Sequence, residues 1–217
     1  MEGATEFPVL TIGHSNHALA DFTALLQTHG VTTVADVRTA PYSRYTPHFN
    51  HDALRDALET NSIDYVFLGG ELGGRPANRS CYDEAGRVLY DRVAETDAFD
   101  DGIRAVMHLS EQGCVALMCS EKEPLDCHRT LLLARALAER GVAVRHILAD
   151  GGIEDHEAAM DRLVEEDRRE GSLGLYPSGD MFRSRADIVA DALSRRVRKV
   201  AYKDSGAASS LAIRETP

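Results

Sequence analysis

The chain has 217 residues, 43% of them hydrophobic, and a formal net charge of -11, so it can bury one sizeable core in one main domain. No stretch approaches the roughly eighteen uncharged apolar residues of a membrane span, and MEGATEFPVL lacks the basic flank and apolar run of a secretory leader, which sets membrane and exported classes aside and makes the cytoplasm the expected compartment. In that reducing setting Cys81, Cys114, Cys119 and Cys127 read as free thiols or metal ligands rather than a disulfide framework, and the acidic balance disfavours nucleic acid unless a local basic patch defeats it.

In chain order, β-rich runs alternate with helical patterns. Residues 9–15 (VLTIGHS) read as a strand and 18–30 as a helix, then 32–38 as a strand and 50–61 as a helix. A third strand at 63–70 leads through a polar loop to a helix at 98–113, a fourth at 114–121 to a helix at 127–141, and a fifth at 142–151 to a helix at 153–167. This alternation predicts an α/β fold: a single three-layer domain with a mostly parallel sheet of about five strands and helices on both faces. The strands are near-continuous apolar runs, as burial on two faces requires.

Gly30, Gly113 and Gly141 each follow a helical pattern and are expected as left-handed C-terminal residues. Beyond Arg169 the pattern weakens until a last helix, about Ser184 to Ala201, with Val189, Leu193, Val197 and Val200 on one face and Arg195, Arg196, Arg198 and Lys199 on the other. The domain is expected over 1–204, with 205–217 as a flexible tail.

Ligands of open parallel sheets bind outside the carboxyl ends of the strands. There the first strand carries His14 and Ser15, the second Asp36 and Arg38 followed by Arg44, the third LGGELGGRP with Arg75, and the fourth Cys119 and Glu121, with Cys127, His128 and Arg129 closing its loop. The double glycines permit close backbone approach, but neither a phosphate loop nor a dinucleotide fingerprint is present, and no cofactor is identified. Asp126 reads as the N-cap of a helix starting near Cys127, so that Cys127, His128 and Arg129 fill its first turn and Cys127 gains thiolate character.

Three chemistries compete for this junction. A phosphatase-like or rhodanese-like loop from Cys119 would need an arginine about six residues on, where Leu125 stands among repelling carboxylates. A metal site could use Cys119, Cys127 and His128, with Glu121 or His14, but C-x7-C-H is not a recognised ligand spacing, and adjacent Cys127 and His128 diverge on a helix. A crevice for a small anionic, phosphorylated or nucleotide-like molecule would use Arg38, Arg44, Arg75 and Arg129 as clamps, with His14, Glu121 and His128 moving protons and Cys119 or Cys127 as nucleophile. The third reading uses the most strand ends and is preferred, without a metal ligand set. The alternatives are a metal-binding protein and a nucleic-acid or protein-binding module using the basic helix.

The stretches TIGHSN, DVRTAPYSRYTPHFN, YVFLGGELGGRP, ALMCSEKEPLDCHRTLLLARAL and RRVRKVAY, spread over residues 11 to 202, resemble the bacterial and archaeal family called domain of unknown function 488. The resemblance implies a compact single α/β domain. It makes His14, Asp36, Arg38, Cys119, Glu121, Cys127, His128 and Arg129 family-motif positions, and it assigns no substrate.

Overall fold

The computed structural model describes residues 7–170 and 183–204; the expected tail at 205–217 lies outside them. β1 (Val9–Gly13), β2 (Thr33–Asp36), β3 (Asp64–Phe67), β4 (Val115–Cys119), β5 (Val144–Ile147) and β6 (Ile153–Asp155) form one sheet in the order β3-β2-β4-β1-β5-β6. All neighbouring pairs are parallel except β5 with β6.

Side-chain alternation splits the core in two. Leu10, Ile12, Val34, Ala116 and Met118 meet Phe22 and Leu26 of α1 (Leu19–Thr28) and Leu54 and Leu58 of α2 (His51–Thr60). The opposite face, with Val9, Ala35, Val115 and Leu117, meets Phe99, Ile103 and Val106 from the long helix 97–112, residues 131–137, and the last two helices. A one-residue slip of any central strand would turn its apolar set to the wrong side, so register is tightly specified. Gly13 lies opposite Cys119, and Asp36 opposite Met118. The polar ends of β1, β2 and β4 are therefore level with one another.

Between β3 and β4 the chain forms α3 (Gly69–Leu72), α4 (Tyr90–Ala94) and α5 (Asp97–Gln112). After β4, a π-helical segment Arg129–Ala134 runs into α6 (Arg135–Glu139), and α7 (His156–Arg169) and α8 (Arg185–Val200) complete the described chain. α8 begins in a capping box between Ser184 and Asp187, which satisfies donors that a helix start otherwise leaves open. No helix among the described residues is long and apolar enough to cross a membrane.

Three local expectations are corrected. Residues 153–155, expected to begin a helix, form β6, because a turn through Asp150 and Gly151, the latter at φ +86°, sends the chain back beside β5. β3 is an edge strand with Asp64 and Phe67 exposed rather than a run buried on both faces. Gly30 and Gly141 do take left-handed conformations, but Gly113 is extended at φ 173°; there the lack of a side chain admits Thr32 Oγ1, which would lie 2.4 Å from a Cβ.

The basic face of α8 is largely neutralised. Arg195 pairs with Asp167 at 2.7 Å, Arg196 with Asp126 at 2.9 Å and with Glu166 at 2.5 Å, and Lys199 with Glu170. A polyanion would have to compete with these carboxylates for the cations.

Between the sheet and α7, Thr11 Oγ1 lies 2.8 Å from His146 Nδ1, and His146 Nε2 lies 3.2 Å from His156 Nδ1. Burial pushes His146 down from 6.5 to about 3, helped by the charges of His156 and Arg129, and burial also lowers His156. In the unfolded chain both imidazoles titrate near 6.5, so they leave stability unchanged above that pH and withdraw it as pH falls from 6.5 towards 3. The urea midpoint is expected to fall between pH 7 and pH 5. In His146→Gln that loss should shrink by about 2 kcal/mol, as read from denaturation curves at the two pH values.

Candidate functional site

Cys119 ends β4, and the chain then makes a loop closed by a 3-10 turn, Pro124–Asp126. A buried guanidinium folds this loop back: Arg129, fully inaccessible, donates from one terminal nitrogen to Glu121 O at 2.6 Å and from the other to Lys122 O at 3.2 Å. The loop also presses on the end of β1, where a Cβ on Gly13 would sit 1.8 Å from Glu121 O. Only glycine admits that approach.

Asp126 is not the helix cap. Its carboxylate pairs with Arg196, because Glu123 caps the 3-10 turn and moves the helix start one residue on. Cys127 is extended, at φ -133° and ψ 142°, and its own sulfur accepts from Arg129 N at 3.5 Å. With Cys127 outside the helix, its side chain and that of His128 converge instead of diverging.

The outcome is a compact cluster. One potential ligand atom from each of Cys119, Glu121, Cys127 and His128 lies within 4.8 Å of all the others. His128 Nδ1 stands 3.6 Å from Cys119 Sγ and 3.8 Å from Cys127 Sγ, while Nε2 lies 3.1 Å from Val37 O. An Nε2–H donated to that carbonyl leaves the Nδ1 lone pair aimed at the sulfurs. Glu121 Oε2 lies 2.8 Å from Cys119 Sγ and 3.1 Å from Cys127 Sγ, at hydrogen-bond distance from both.

Electrostatics divide the two thiols. Burial raises Cys119, reinforced by Cys127 and the negative charge of Glu121. Burial acts the same way on Cys127, but the hydrogen bond from Cys119 and the charges of Arg129 and His128 overcome it and hold that sulfur well below the usual thiol range. Burial beside the Cys127 sulfur raises Glu121. For His128, burial opposes protonation, but the Cys127 sulfur outweighs it and the pKa rises.

The β1 and β2 ends form a second unit. Arg38 Nε and one terminal nitrogen grip Asp36 at 2.9 and 2.6 Å, and the other terminal nitrogen lies 3.2 Å from His14 Nε2. Tyr65 donates to Asp36 Oδ2 at 2.7 Å. His14 Nδ1 is held by Ser15 O at 2.9 Å, and its ring stacks on Phe49. Burial and the Arg38 charge push His14 down to about 4. Both ring nitrogens of His14 are thus engaged, and Arg38 and Asp36 satisfy each other.

A cavity of about 350 Å³ opens over the cluster, walled by Arg38, Tyr42, Arg75, Tyr90 and Tyr202, with Glu121, Asp126 and His128 below. Of the residues expected at the site, Arg38, Arg75, Cys119, Glu121, Cys127 and His128 line it, whereas His14, Ser15, Asp36, Arg44 and Arg129 do not. Arg44 is exposed and stacks on Tyr45, Arg129 faces carbonyls, and Arg75 lies over the Tyr202 ring at 4.4 Å. The four arginines therefore do not converge. Sequence reasoning missed Tyr42, Gly74, Tyr90 and Tyr202. Three of them sit inside the motif stretches quoted above, which was the available signal; Tyr90 carried none. A Cβ on Gly74 would lie 3.1 Å from the His128 ring, so this glycine forms the wall behind the imidazole.

A family model described as domain of unknown function DUF488 matches residues 18–136, more than half of the 217 residues. Neither the curated proteins nor the solved structures gave a match to the chain.

Arg38 and Arg75 border the same cavity but differ in burial, so their removal should separate cleanly. Arg38→Ala leaves Asp36, fully buried, without its cation and is expected to cost about 3–5 kcal/mol. Arg75→Ala should stay within about 0.5 kcal/mol of the parent. Urea denaturation of the two variants checks both values.

Proposed function

The chain belongs to the domain of unknown function DUF488 family, and from its site we propose that it is a metal-dependent hydrolase, holding a zinc-type divalent cation on Cys119, Cys127 and His128 and acting on a small molecule in the cavity above them. The observation that carries this reading is the spacing of those three donors. Zn–S near 2.3 Å and Zn–N near 2.0–2.1 Å at a tetrahedral angle give an S···N edge of about 3.6 Å; the two S···Nδ1 separations are 3.6 and 3.8 Å.

Two further features support it. Ligating histidines usually donate their second ring nitrogen to a carbonyl or carboxylate, which fixes the ring and its tautomer, and His128 has Val37 O in that position. Thiolate and imidazole are also the donors that favour zinc over hard cations. The cation would lower the pKa of a bound water and polarise a substrate oxygen. A site with three protein ligands and a fourth position facing a cavity is the catalytic form of zinc coordination.

Glu121 takes a different part. Its Oε2 lies 2.8 and 3.1 Å from the sulfurs, inside the ~3.6 Å edge expected between ligands of one tetrahedral zinc and at hydrogen-bond distance. Glu121 is also the one member of the cluster exposed to solvent. It is suited to pass protons beside the fourth position.

Elemental analysis of the full chain, purified without chelator and dialysed against zinc, should give about one zinc per molecule, the occupancy that a single Cys2His site sets. Cobalt in its place should give a thiolate-to-metal absorption band. Both signals should disappear in Cys119→Ser/Cys127→Ser and persist in Cys81→Ser. A parent chain that takes up no metal, or a double variant that keeps it, overturns the reading.

A further inference from the structure

The cavity's own chemistry points to a substrate class. Its floor carries the solvent-exposed Glu121 carboxylate beside the proposed ligands, together with the Asp126 carboxylate, itself paired with Arg196. The cations that would welcome a phosphate are occupied elsewhere. Arg38 spends all three guanidinium nitrogens on Asp36 and His14, Arg129 is turned to the carbonyls of Glu121 and Lys122, and Arg44 does not line the cavity. Among the described residues Arg75 is the remaining arginine of the lining, its guanidinium carbon 4.4 Å from the Tyr202 ring centroid. Such a floor repels a polyanion and accepts hydrogen bonds from N–H groups.

The walls favour a flat ligand. Tyr42 lines the cavity yet remains 65% exposed, an aromatic face with no ring or cation against it among the described residues. The Arg75–Tyr202 pair offers a second planar surface. Aromatic and guanidinium planes are the surfaces on which heteroaromatic rings stack, tolerantly of ring identity. A volume of about 350 Å³ lies at the small end of ligand pockets and suits one ring system with a modest substituent.

We propose that the substrate is an uncharged, amine-bearing planar heterocycle of the aminopyrimidine or aminopurine type, and that the reaction is its hydrolytic deamination. The proposal rests on the metal reading above. A cation on two cysteines and one histidine, with a non-ligating carboxylate beside it, is a donor set that serves water addition to the amine-bearing carbon of such rings. Here the carboxylate is Glu121, two residues after the first cysteine.

The step balances without oxidant or reductant. Water gives a proton to Glu121 as its oxygen bonds to the ring carbon. Glu121 delivers that proton to the adjacent ring nitrogen, and the second water proton passes by the same carboxylate to the exocyclic amine. The C–N bond breaks, ammonia departs with the bonding pair, and a ring carbonyl remains.

The test uses the full zinc-loaded chain with cytosine, adenine, guanine and their nucleosides, following ammonia and the ultraviolet change of the ring together. At least one compound should release ammonia in step with its carbonyl product. Glu121→Gln should keep its zinc and lose ~10²-fold or more in kcat. Tyr42→Ala should raise KM by ~10-fold with kcat little changed, whereas Tyr45→Ala, next to the cavity loop but outside the lining, should leave both alone. If the chain binds zinc but no compound of the panel releases ammonia, or Glu121→Gln retains activity, the substrate assignment falls and the metal reading stands. If the chain binds no metal, both fall.

Discussion

The arrangement depends on one buried cation. Arg129 is fully inaccessible and bound to two backbone carbonyls, and among the described residues it meets no carboxylate and its Nε has no hydrogen-bond partner. A guanidinium in that setting loses much of its hydration, and the compensation nearby is the Cys127 sulfur, whose pKa the same cation helps to lower. The loop and the Cys127 sulfur therefore depend on each other. The cation ties residues 121 and 122 down, which sets Glu121 beside Cys119 and Cys127, and negative charge developing on the Cys127 sulfur offsets the cost of burying the cation.

Beside this unit, charge is cancelled rather than gathered. Asp36 and Arg38 are buried at 0% and 5% exposure and are bonded bidentately, with Tyr65 and His14 completing the network. Networks of this kind hold when every member is satisfied and are costly when one is removed. Their effect on the cavity is negative in the useful sense: two motif residues that would otherwise project positive and negative charge into it are neutralised. What the cavity presents instead is sulfur, carboxylate and aromatic surface.

Much of the fold was legible because the governing signals are local. Apolar runs of strand length alternated with helical spacing, and the last helix could be bounded to Ser184 and Ala201, its observed caps, from a serine and a valine stripe. β6 was not legible, since three residues carry too little periodicity and the reversal at Asp150 and Gly151 decided the matter. At the site, Cys119, Glu121, Cys127 and His128 were each singled out from strand-end position, but their combination was not. Adjacent Cys127 and His128 diverge if both are helical, and that assumption counted against a shared centre. Glu123 caps a separate 3-10 turn, Pro124–Asp126, which leaves Cys127 extended and brings the two side chains to one point. The arginines failed in the opposite direction: residue type suggested anion clamps, while the partners that occupy Arg38 and Arg129 come from remote chain segments that spacing does not reveal.

The four clustered residues are not held alike, and the difference separates their tasks. Cys119 is fixed by strand register opposite Gly13, Cys127 by the N–H of Arg129, and His128 between Val37 O and the bare backbone of Gly74. Each is buried and tied to the scaffold, the preorganisation that a binding constellation requires. Glu121 is fixed at its carbonyl by Arg129, and its solvent-exposed carboxylate contacts the two sulfurs and its own backbone N–H. Three buried donors and one solvent-exposed carboxylate match the division that the proposed metal reading draws between holding an ion and carrying protons.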